Sequence, residues 1–253
     1  MKSVTYHSAF AVDIEKFIAH KQALGYTYGT QIGILKAFDA FCARMHPEKH
    51  TLSRELLLHW ARQREGESVG TQRVRASATR QLALFLGRLG HDVYLVPEEM
   101  LPPYQRYTPY IFTTEEIAAL LDQIDSCPYW QPNPLRHREY PLLFRLLYCC
   151  GFRVSEVCGM KVGDWCENSG TLTVHNGKYG RDRRVPLAPD VARRTQEYCR
   201  SVHRFSTSDT YLFPSHKSPH LSKQAVYFSF RQFLWQAGIS HGGKGKGPRV
   251  HDL

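Results

Sequence analysis

Apolar residues recur every three or four positions along the first part of the chain, which is typical of amphipathic α-helices. The longest such stretch covers residues 10–45 and is interrupted by GYTYGT, so it predicts two helices joined by a turn. Residues 53–63 and 70–90 repeat the spacing and predict two more helices. We therefore expect residues 1–97 to form a small helical domain.

The periodicity stops in a proline-rich segment, residues 98–110, which predicts an extended linker. Thr113 follows, with Glu116 three residues later, in the pattern of a capping box. This pattern predicts the start of a helix over residues 115–124. A second domain is therefore expected over residues 111–253.

The second domain mixes two periodicities. Residues 140–150 are mostly apolar and predict a buried helix, and residues 191–205 and 222–238 have helical spacing. TLTV and RRVPL alternate like short strands, and HNGKYGRD between them favours a tight hairpin with Lys178 at its exposed tip. The predicted fold is an α-helical N-terminal domain followed by a mixed α+β domain, mainly helical with a small antiparallel sheet.

Composition narrows the class of protein. Hydrophobic residues make up 42% of the 253 positions, which is enough for buried cores. No apolar run approaches the ~20 residues that a membrane helix needs, and the first residues do not resemble a signal peptide. The seven cysteines form no C-x-x-C ladder, so we expect reduced thiols. These features predict a cytoplasmic protein with no membrane contact, no metal site and no cofactor.

The chain is basic, with 33 Lys and Arg against 23 Asp and Glu and a net charge of +10. This excess suits a polyanionic partner. Arg73, Arg75 and Arg80 lie on the helix predicted over residues 70–90, although their spacing does not place them on one face. Lys223 follows Ser222, a candidate N-cap of a later helix. The glycine-rich stretch GGKGKG near the end contains two lysines, and its flexible glycines would allow the backbone to approach phosphates. The candidate residues for binding such a polyanion are Arg73, Arg75, Arg80, Lys223, Lys244 and Lys246.

Three places could carry chemistry. Arg153 opens a short helix after Gly151, where its guanidinium could hold a phosphate and Glu156 could orient it; the alternative is a surface ion pair. Lys178 could protonate a departing alkoxide from the hairpin tip, or could be a solvated turn residue. His251 stands alone near the last residue, a position where a histidine usually has no function.

In their order along the chain, these segments resemble the tyrosine recombinase (phage integrase) family. The segment LLYCCGFRVSEVCGMKVGDW is similar to that family's first arginine box, and TLTVHNGKYGRDRRVPL to its catalytic-lysine hairpin. Residues 221–239 followed by HDL resemble the approach to its His-x-x-Arg box, and residues 17–42 and 71–90 its helical core-binding domain. The resemblance covers nearly the whole chain and implies a two-domain clamp around duplex DNA. By this resemblance the six polyanion-binding candidates become candidate DNA-binding residues.

The resemblance also implies a mechanism. A tyrosine attacks the scissile phosphate to give a 3′-phosphotyrosine, and a 5′-hydroxyl then reverses the step, without ATP or metal. By analogy Arg153 stabilises phosphate charge, Lys178 is the general acid, and His251 assists proton transfer or holds the phosphate. His251 would be the first position of the His-x-x-Arg box, so the box is cut after Leu253. The second arginine and the attacking tyrosine are then missing, and we expect no cleavage by this chain.

Alternative functions remain open at this point. The chain could be a non-catalytic duplex DNA-binding protein from a truncated recombinase, or a type IB topoisomerase, although the order of domains favours an integrase. An RNA-binding protein is disfavoured because no aromatic RNP-like strand is present. Codons downstream of Leu253 would distinguish a truncated frame from a longer one. We expect a free monomer, a full-length form that oligomerises on DNA, and no small-molecule substrate.

Overall fold

A computed structural model describes residues 5–47, 49–103, 107–177, 180–243 and 247–253. The chain divides into two compact units, unit 1 (Met1–Tyr107) and unit 2 (Thr108–Leu253). Among the described residues, no helix is both long and apolar enough to cross a lipid bilayer.

Unit 1 is helical. Its helices are α1 (Ala11–Ala23), α2 (Gly29–Met45), α3 (Arg54–Ala61) and α4 (Val69–Arg88). Ser53 and Ser68 cap α3 and α4, since each serine hydroxyl accepts a hydrogen bond from a backbone N–H in the first turn. Aromatic rings fill the core, where Phe38 and Trp60 are buried and meet edge to face at 5.2 Å between ring centres.

Unit 1 extends beyond the predicted boundary at residue 97. Glu98–Met100 forms a 3-10 turn, and Leu101 is only 8% exposed within the core of unit 1. The first part of the predicted linker is therefore packed against unit 1, because the side chain of Leu101 lies in its core. The division between the units falls at Tyr107 and Thr108.

Arg75, one of the predicted DNA contacts, is buried inside unit 1. The residue is 4% exposed, and its Nε and Nη2 donate to the two carboxylate oxygens of Glu67 at 2.9 and 2.8 Å. The same guanidinium also donates to the backbone carbonyls of Trp60 and Arg62. A buried guanidinium needs these partners. Arg75 therefore joins α4 to the end of α3 and the loop after it, and it does not face a polyanion.

Unit 2 combines helices with a three-stranded antiparallel sheet in the order β1-β2-β3. Its helices are α5 (Thr114–Asp125), α6 (Arg136–Cys150), α7 (Val154–Gly159), α8 (Pro189–Val202) and α9 (Lys223–Gln236). Its strands are β1 (Trp165–Cys166), β2 (Thr171–Val174) and β3 (Arg183–Pro186). The register aligns Trp165 with Leu172 and Val174 with Arg183. The predicted fold class is confirmed.

The start of α5 has the predicted capping box. The Thr113 hydroxyl accepts from the Glu116 N–H at 3.2 Å, and the Glu116 carboxylate accepts from the Thr113 N–H at 2.9 Å. Two backbone donors at the helix start are thereby satisfied. The core of unit 2 lies around α6, where the Phe144 ring contacts Phe230 and Phe233 of α9 at 5.9 and 5.7 Å between ring centres.

Glu139 is an exception within this core. Its side chain lies in the first turn of α6 with no exposed surface, and neither carboxylate oxygen has a hydrogen-bond partner of normal geometry among the described residues. Burial raises the pKa of Glu139 to about 7, although the nearby Asn133 side chain acts in the opposite direction. The carboxyl is therefore neutral in mildly acidic solution.

We predict that Glu139→Gln stabilises the protein above neutral pH. Because the unfolded chain ionises near pH 4.5 and the folded protein only near pH 7, the wild type loses stability as pH rises between these values, and above about 7 it carries a buried charge. The variant avoids this cost, so it should gain roughly 1–3 kcal/mol of unfolding free energy at pH 8 and little at pH 5. Urea unfolding at both values measures the difference. Glu197→Gln, at an exposed residue of α8, is the control, and a gain that does not change with pH would contradict the account.

Candidate active site

The segment between α6 and α7 presents Arg153. Gly151 ends α6 in the left-handed conformation, with φ at 62°, which glycine adopts without a steric penalty. Phe152 is then buried and anchors the turn, while Arg153 adopts an extended backbone as the N-cap of α7. The Arg153 side chain is 47% exposed. The turn thus fixes the backbone of Arg153 and leaves much of its guanidinium accessible.

The Glu156 carboxylate fixes Arg153 by hydrogen bonds. Its carboxylate accepts from the backbone N–H and from Nη1 of Arg153, each at 2.8 Å. It also accepts from Nη1 and Nη2 of Arg183, on β3, at 2.9 and 2.8 Å. The side chain of Glu156 is only 7% exposed. One buried carboxylate therefore connects the start of α7 to the last strand of the sheet.

The electrostatics of Glu156 follow from these contacts. The hydrogen bonds from Arg183, followed by those from the N–H and guanidinium of Arg153, lower the pKa of Glu156 to about 2 against the opposing effect of burial. The Arg183 guanidinium has a raised pKa for the same reason. Both groups are fully charged at neutral pH, so Arg153 binds to a permanent anion.

The β2–β3 hairpin is held at its base by Asp182. Its carboxylate accepts from the Asn176 N–H at 2.9 Å and contacts Nδ1 of His175 at 2.8 Å. Asn176 has a left-handed φ of 51°, which asparagine tolerates better than most residues. The ring of His175 also lies 3.3 Å from Asp164, and Asp182, followed by Asp164, raises the pKa of His175. The predicted hairpin is present, whereas Lys178 lies outside the described residues.

Gly177 links this hairpin to Glu156. A Cβ atom there would lie 2.9 Å from the carbonyl oxygen of Arg181 and 3.0 Å from Nη1 of Arg183. Both distances are shorter than normal contacts, so a larger residue would displace the guanidinium that binds Glu156. Glycine at this position allows the strand, the buried carboxylate and the hairpin turn to approach closely.

His251 lies on a short 3-10 turn, Val250–Asp252. Val250 is 2% exposed and belongs to the core of unit 2, while the Asp252 carboxylate accepts from the Arg249 N–H at 2.8 Å. The ring of His251 is exposed, and its Nε2 lies 2.6 Å from the hydroxyl of Tyr227 on α9. A buried neighbour and a hydrogen bond therefore fix this histidine in place.

The remaining predicted DNA contacts have different surroundings. Arg73 and Arg80 are half-buried and donate to the carbonyls of Pro102 and Val96, and the second of these bonds is 2.9 Å long. Lys223 is exposed as the first residue of α9, where the predicted N-cap, Ser222, accepts from the Ala225 N–H. Lys244 and Lys246 lie outside the described residues.

Sequence patterns did not identify Arg183 or Tyr227. Arg183 stands in the alternating RRVPL strand beside a second arginine, and only the register of the sheet shows which of the two faces Glu156. Tyr227 is one of five aromatic residues in α9, two of which, Phe230 and Phe233, are buried, so the sequence does not single it out. In the described part of the chain, no group of three or more His, Cys, Asp or Glu side chains is arranged to hold a metal ion.

Comparison with known proteins identifies the family. A sequence model of the phage integrase family matches residues 111–253, which include Arg153, Glu156 and His251. The chain belongs to this family. The predicted membership of the tyrosine recombinase (phage integrase) family is therefore confirmed.

Relatives within the phage integrase family cover different parts of the chain. The integrase/recombinase y4rB of Sinorhizobium fredii, itself named by inference, is 25% identical over 97% of this chain and 79% of its own length. Tyrosine recombinase XerA of Pyrococcus furiosus is 30% identical over 54% of this chain and 45% of its own length. Tyrosine recombinase XerD of Neisseria meningitidis serogroup B is 28% identical over 70% of this chain and 60% of its own length.

Solved structures share the fold of this integrase-family chain. The integrase of transposon Tn1549 in complex with transposon right-end DNA superposes with a TM-score of 0.64 at 13% identity, covering 95% of this chain and 83% of that one. A lambda integrase dimer bound to a core site superposes with a TM-score of 0.62 at 17% identity, covering 95% of this chain and 85% of that one.

We predict that Arg183→Met destabilises the protein, whereas Arg184→Met, on the neighbouring exposed position of β3, does not. The first variant leaves the buried Glu156 carboxylate without two hydrogen bonds, which should reduce the unfolding free energy at pH 7 by about 1–3 kcal/mol. Urea unfolding measures both variants.

The pH dependence provides a second check of Arg183→Met. Because the pKa of Glu156 is lowered, its contribution to the free energy of unfolding is present above pH 4.5, the ordinary pKa of glutamate, and is lost as pH falls to about 2. The difference between wild type and Arg183→Met should therefore shrink across this range. Equal destabilisation by Arg184→Met, or a constant difference, would argue against the contact.

Proposed function

We propose that the chain binds duplex DNA as part of a site-specific recombinase that cleaves and rejoins strands through a 3′-phosphotyrosyl intermediate. The observation that carries this proposal is the Arg153 guanidinium, which is fixed by the buried Glu156 and is nearly half exposed. A guanidinium fixed on one side and accessible on the other is suited to bind a phosphate. Membership of the phage integrase family supplies the reaction class.

The proposed reaction assigns a separate task to each group. A tyrosine oxygen attacks the phosphorus, and the bond from phosphorus to the 5′ oxygen breaks. Arg153 stabilises the charge on the non-bridging oxygens, and Lys178 gives its proton to the departing 5′ oxygen. His251 holds the phosphate or assists proton transfer. A 5′-hydroxyl then attacks the phosphotyrosine and restores a phosphodiester, so no cofactor is consumed.

The attacking tyrosine is, in this proposal, none of the tyrosines before His251. In the family's motif order the nucleophile follows the histidine box, whereas Tyr211 and Tyr227 precede it. The hydroxyl of Tyr227 is also engaged in a hydrogen bond with His251. The 253 residues would therefore supply phosphate binding and acid catalysis but not the covalent step.

Duplex DNA is the proposed partner. XerH, a structural neighbour with a TM-score of 0.59, was solved with its difH substrate, and lambda integrase, with a TM-score of 0.60, was solved as a tetramer on a Holliday junction. By extension we propose that the full-length form of this protein oligomerises on DNA. Arg73 and Arg80 of unit 1 and Lys223 of unit 2 remain the described candidates for phosphate contacts.

We predict that duplex binding weakens steeply with salt. If three phosphates are neutralised, counterion release reduces affinity roughly 40-fold between 50 and 200 mM salt. Lys223→Gln should weaken binding and reduce the slope of log affinity against log salt by about one. Fluorescence anisotropy with a labelled duplex measures both quantities.

The control for this titration is Arg193→Gln, which removes the same charge from an exposed residue of α8. We expect it to bind as the wild type does. Affinity that does not change between the two salt concentrations would contradict the proposed DNA function. An equal effect of both substitutions would show that net charge, and not a contact at Lys223, governs binding.

A further inference from the structure

Tyr227 and His251 form a close pair on the surface of unit 2. The tyrosine hydroxyl lies 2.6 Å from Nε2 of the histidine, and the two rings meet edge to face with 5.8 Å between their centres. The distance is that of a strong hydrogen bond. The two residues are 24 positions apart in sequence, so the contact is tertiary.

Both residues are anchored by buried neighbours. On α9, Val226 has no exposed surface and Phe230 is 1% exposed, so the helix face that carries Tyr227 is fixed against the core. On the other side, Val250 is 2% exposed and holds the 3-10 turn that carries His251. The hydrogen bond therefore joins two rigid elements, and it orients the histidine ring more firmly than a contact between two mobile side chains would.

The direction of the Tyr227–His251 hydrogen bond and the tautomer of the histidine determine each other. Burial raises the pKa of Tyr227, against a smaller opposite effect of Arg249, so the hydroxyl stays protonated and can donate. A neutral imidazole that accepts at Nε2 must carry its proton on Nδ1. Without such a partner, a histidine ring is free to exchange between its two tautomers.

We propose that Tyr227 is a positioning residue that holds His251 as the Nδ1–H tautomer, so that Nδ1–H is the donor offered to a DNA phosphate. The assignment to phosphate rests on the proposed recombinase function, whereas the tautomer does not. Because Nε2 is occupied by the hydroxyl, Nδ1 is the nitrogen left to bind an incoming oxygen. Tyr227 thereby acts through His251 and makes no bond to the reacting phosphorus.

Nitrogen NMR tests the tautomer in the free protein. In the chain labelled with ¹⁵N-histidine at pH 8, long-range ¹H–¹⁵N correlations distinguish the two tautomers, and His251→Gln identifies the signal of His251. We expect the wild type to show the Nδ1–H form. Tyr227→Phe, which removes only the hydroxyl, should shift the signal towards the Nε2–H form.

The matched control is Tyr211→Phe. Tyr211 contacts the ring of another histidine, His220, with 4.8 Å between ring centres, so the variant removes a comparable hydroxyl elsewhere in unit 2. It should leave the His251 signal unchanged. A wild-type Nε2–H form, or a Tyr227→Phe signal identical to that of the wild type, would overturn the positioning role.

Addition of duplex DNA at low salt tests the assignment to phosphate. Binding should perturb Nδ1 of His251 in the wild type, and Tyr227→Phe should weaken that perturbation while changing affinity less than about threefold, since most affinity comes from other phosphate contacts. Bound DNA that leaves Nδ1 unchanged would overturn the assignment to phosphate. Failure of the wild type to bind any duplex would instead refute the proposed function.

Discussion

The arrangement of the candidate site depends on one buried carboxylate, that of Glu156. A carboxylate that is 7% exposed is stable as an anion only if hydrogen-bond donors replace the water it has lost. Arg153 and Arg183 supply these donors from two different elements, the start of α7 and strand β3. Satisfying the anion therefore requires the helix and the strand to lie together, and this requirement positions both arginines.

The consequences extend to the groups proposed to act on DNA. Arg153 keeps part of its guanidinium accessible because Glu156 holds the other part. The strand that carries Arg183 also forms one side of the β2–β3 hairpin, and Asp182 closes the base of that hairpin through Asn176. Hydrogen bonds to the single Glu156 carboxylate therefore connect the start of α7 to the β2–β3 hairpin. His251 is held separately, by α9.

Much of the fold could be predicted from local patterns in the sequence. Helical spacing, the capping box at Thr113 and the turn at Asn176 depend on neighbours a few residues away, and the structure has each of them. The burial of Arg75 and the second partner of Glu156, Arg183, could not be predicted in this way. These features depend on residues 8 and 27 positions away, respectively, whose proximity is set only by packing.

The pKa of Glu156 is the most direct measure of the central claim, since it reports how well the two arginines satisfy the buried anion. A ¹³C-detected titration of the Glu156 carboxyl group, assigned with Glu156→Gln, gives this value in the folded protein. The account predicts a pKa of about 2 that rises in Arg183→Met and is unchanged in Arg184→Met. A wild-type value near 4.5, the ordinary value for glutamate, would contradict it.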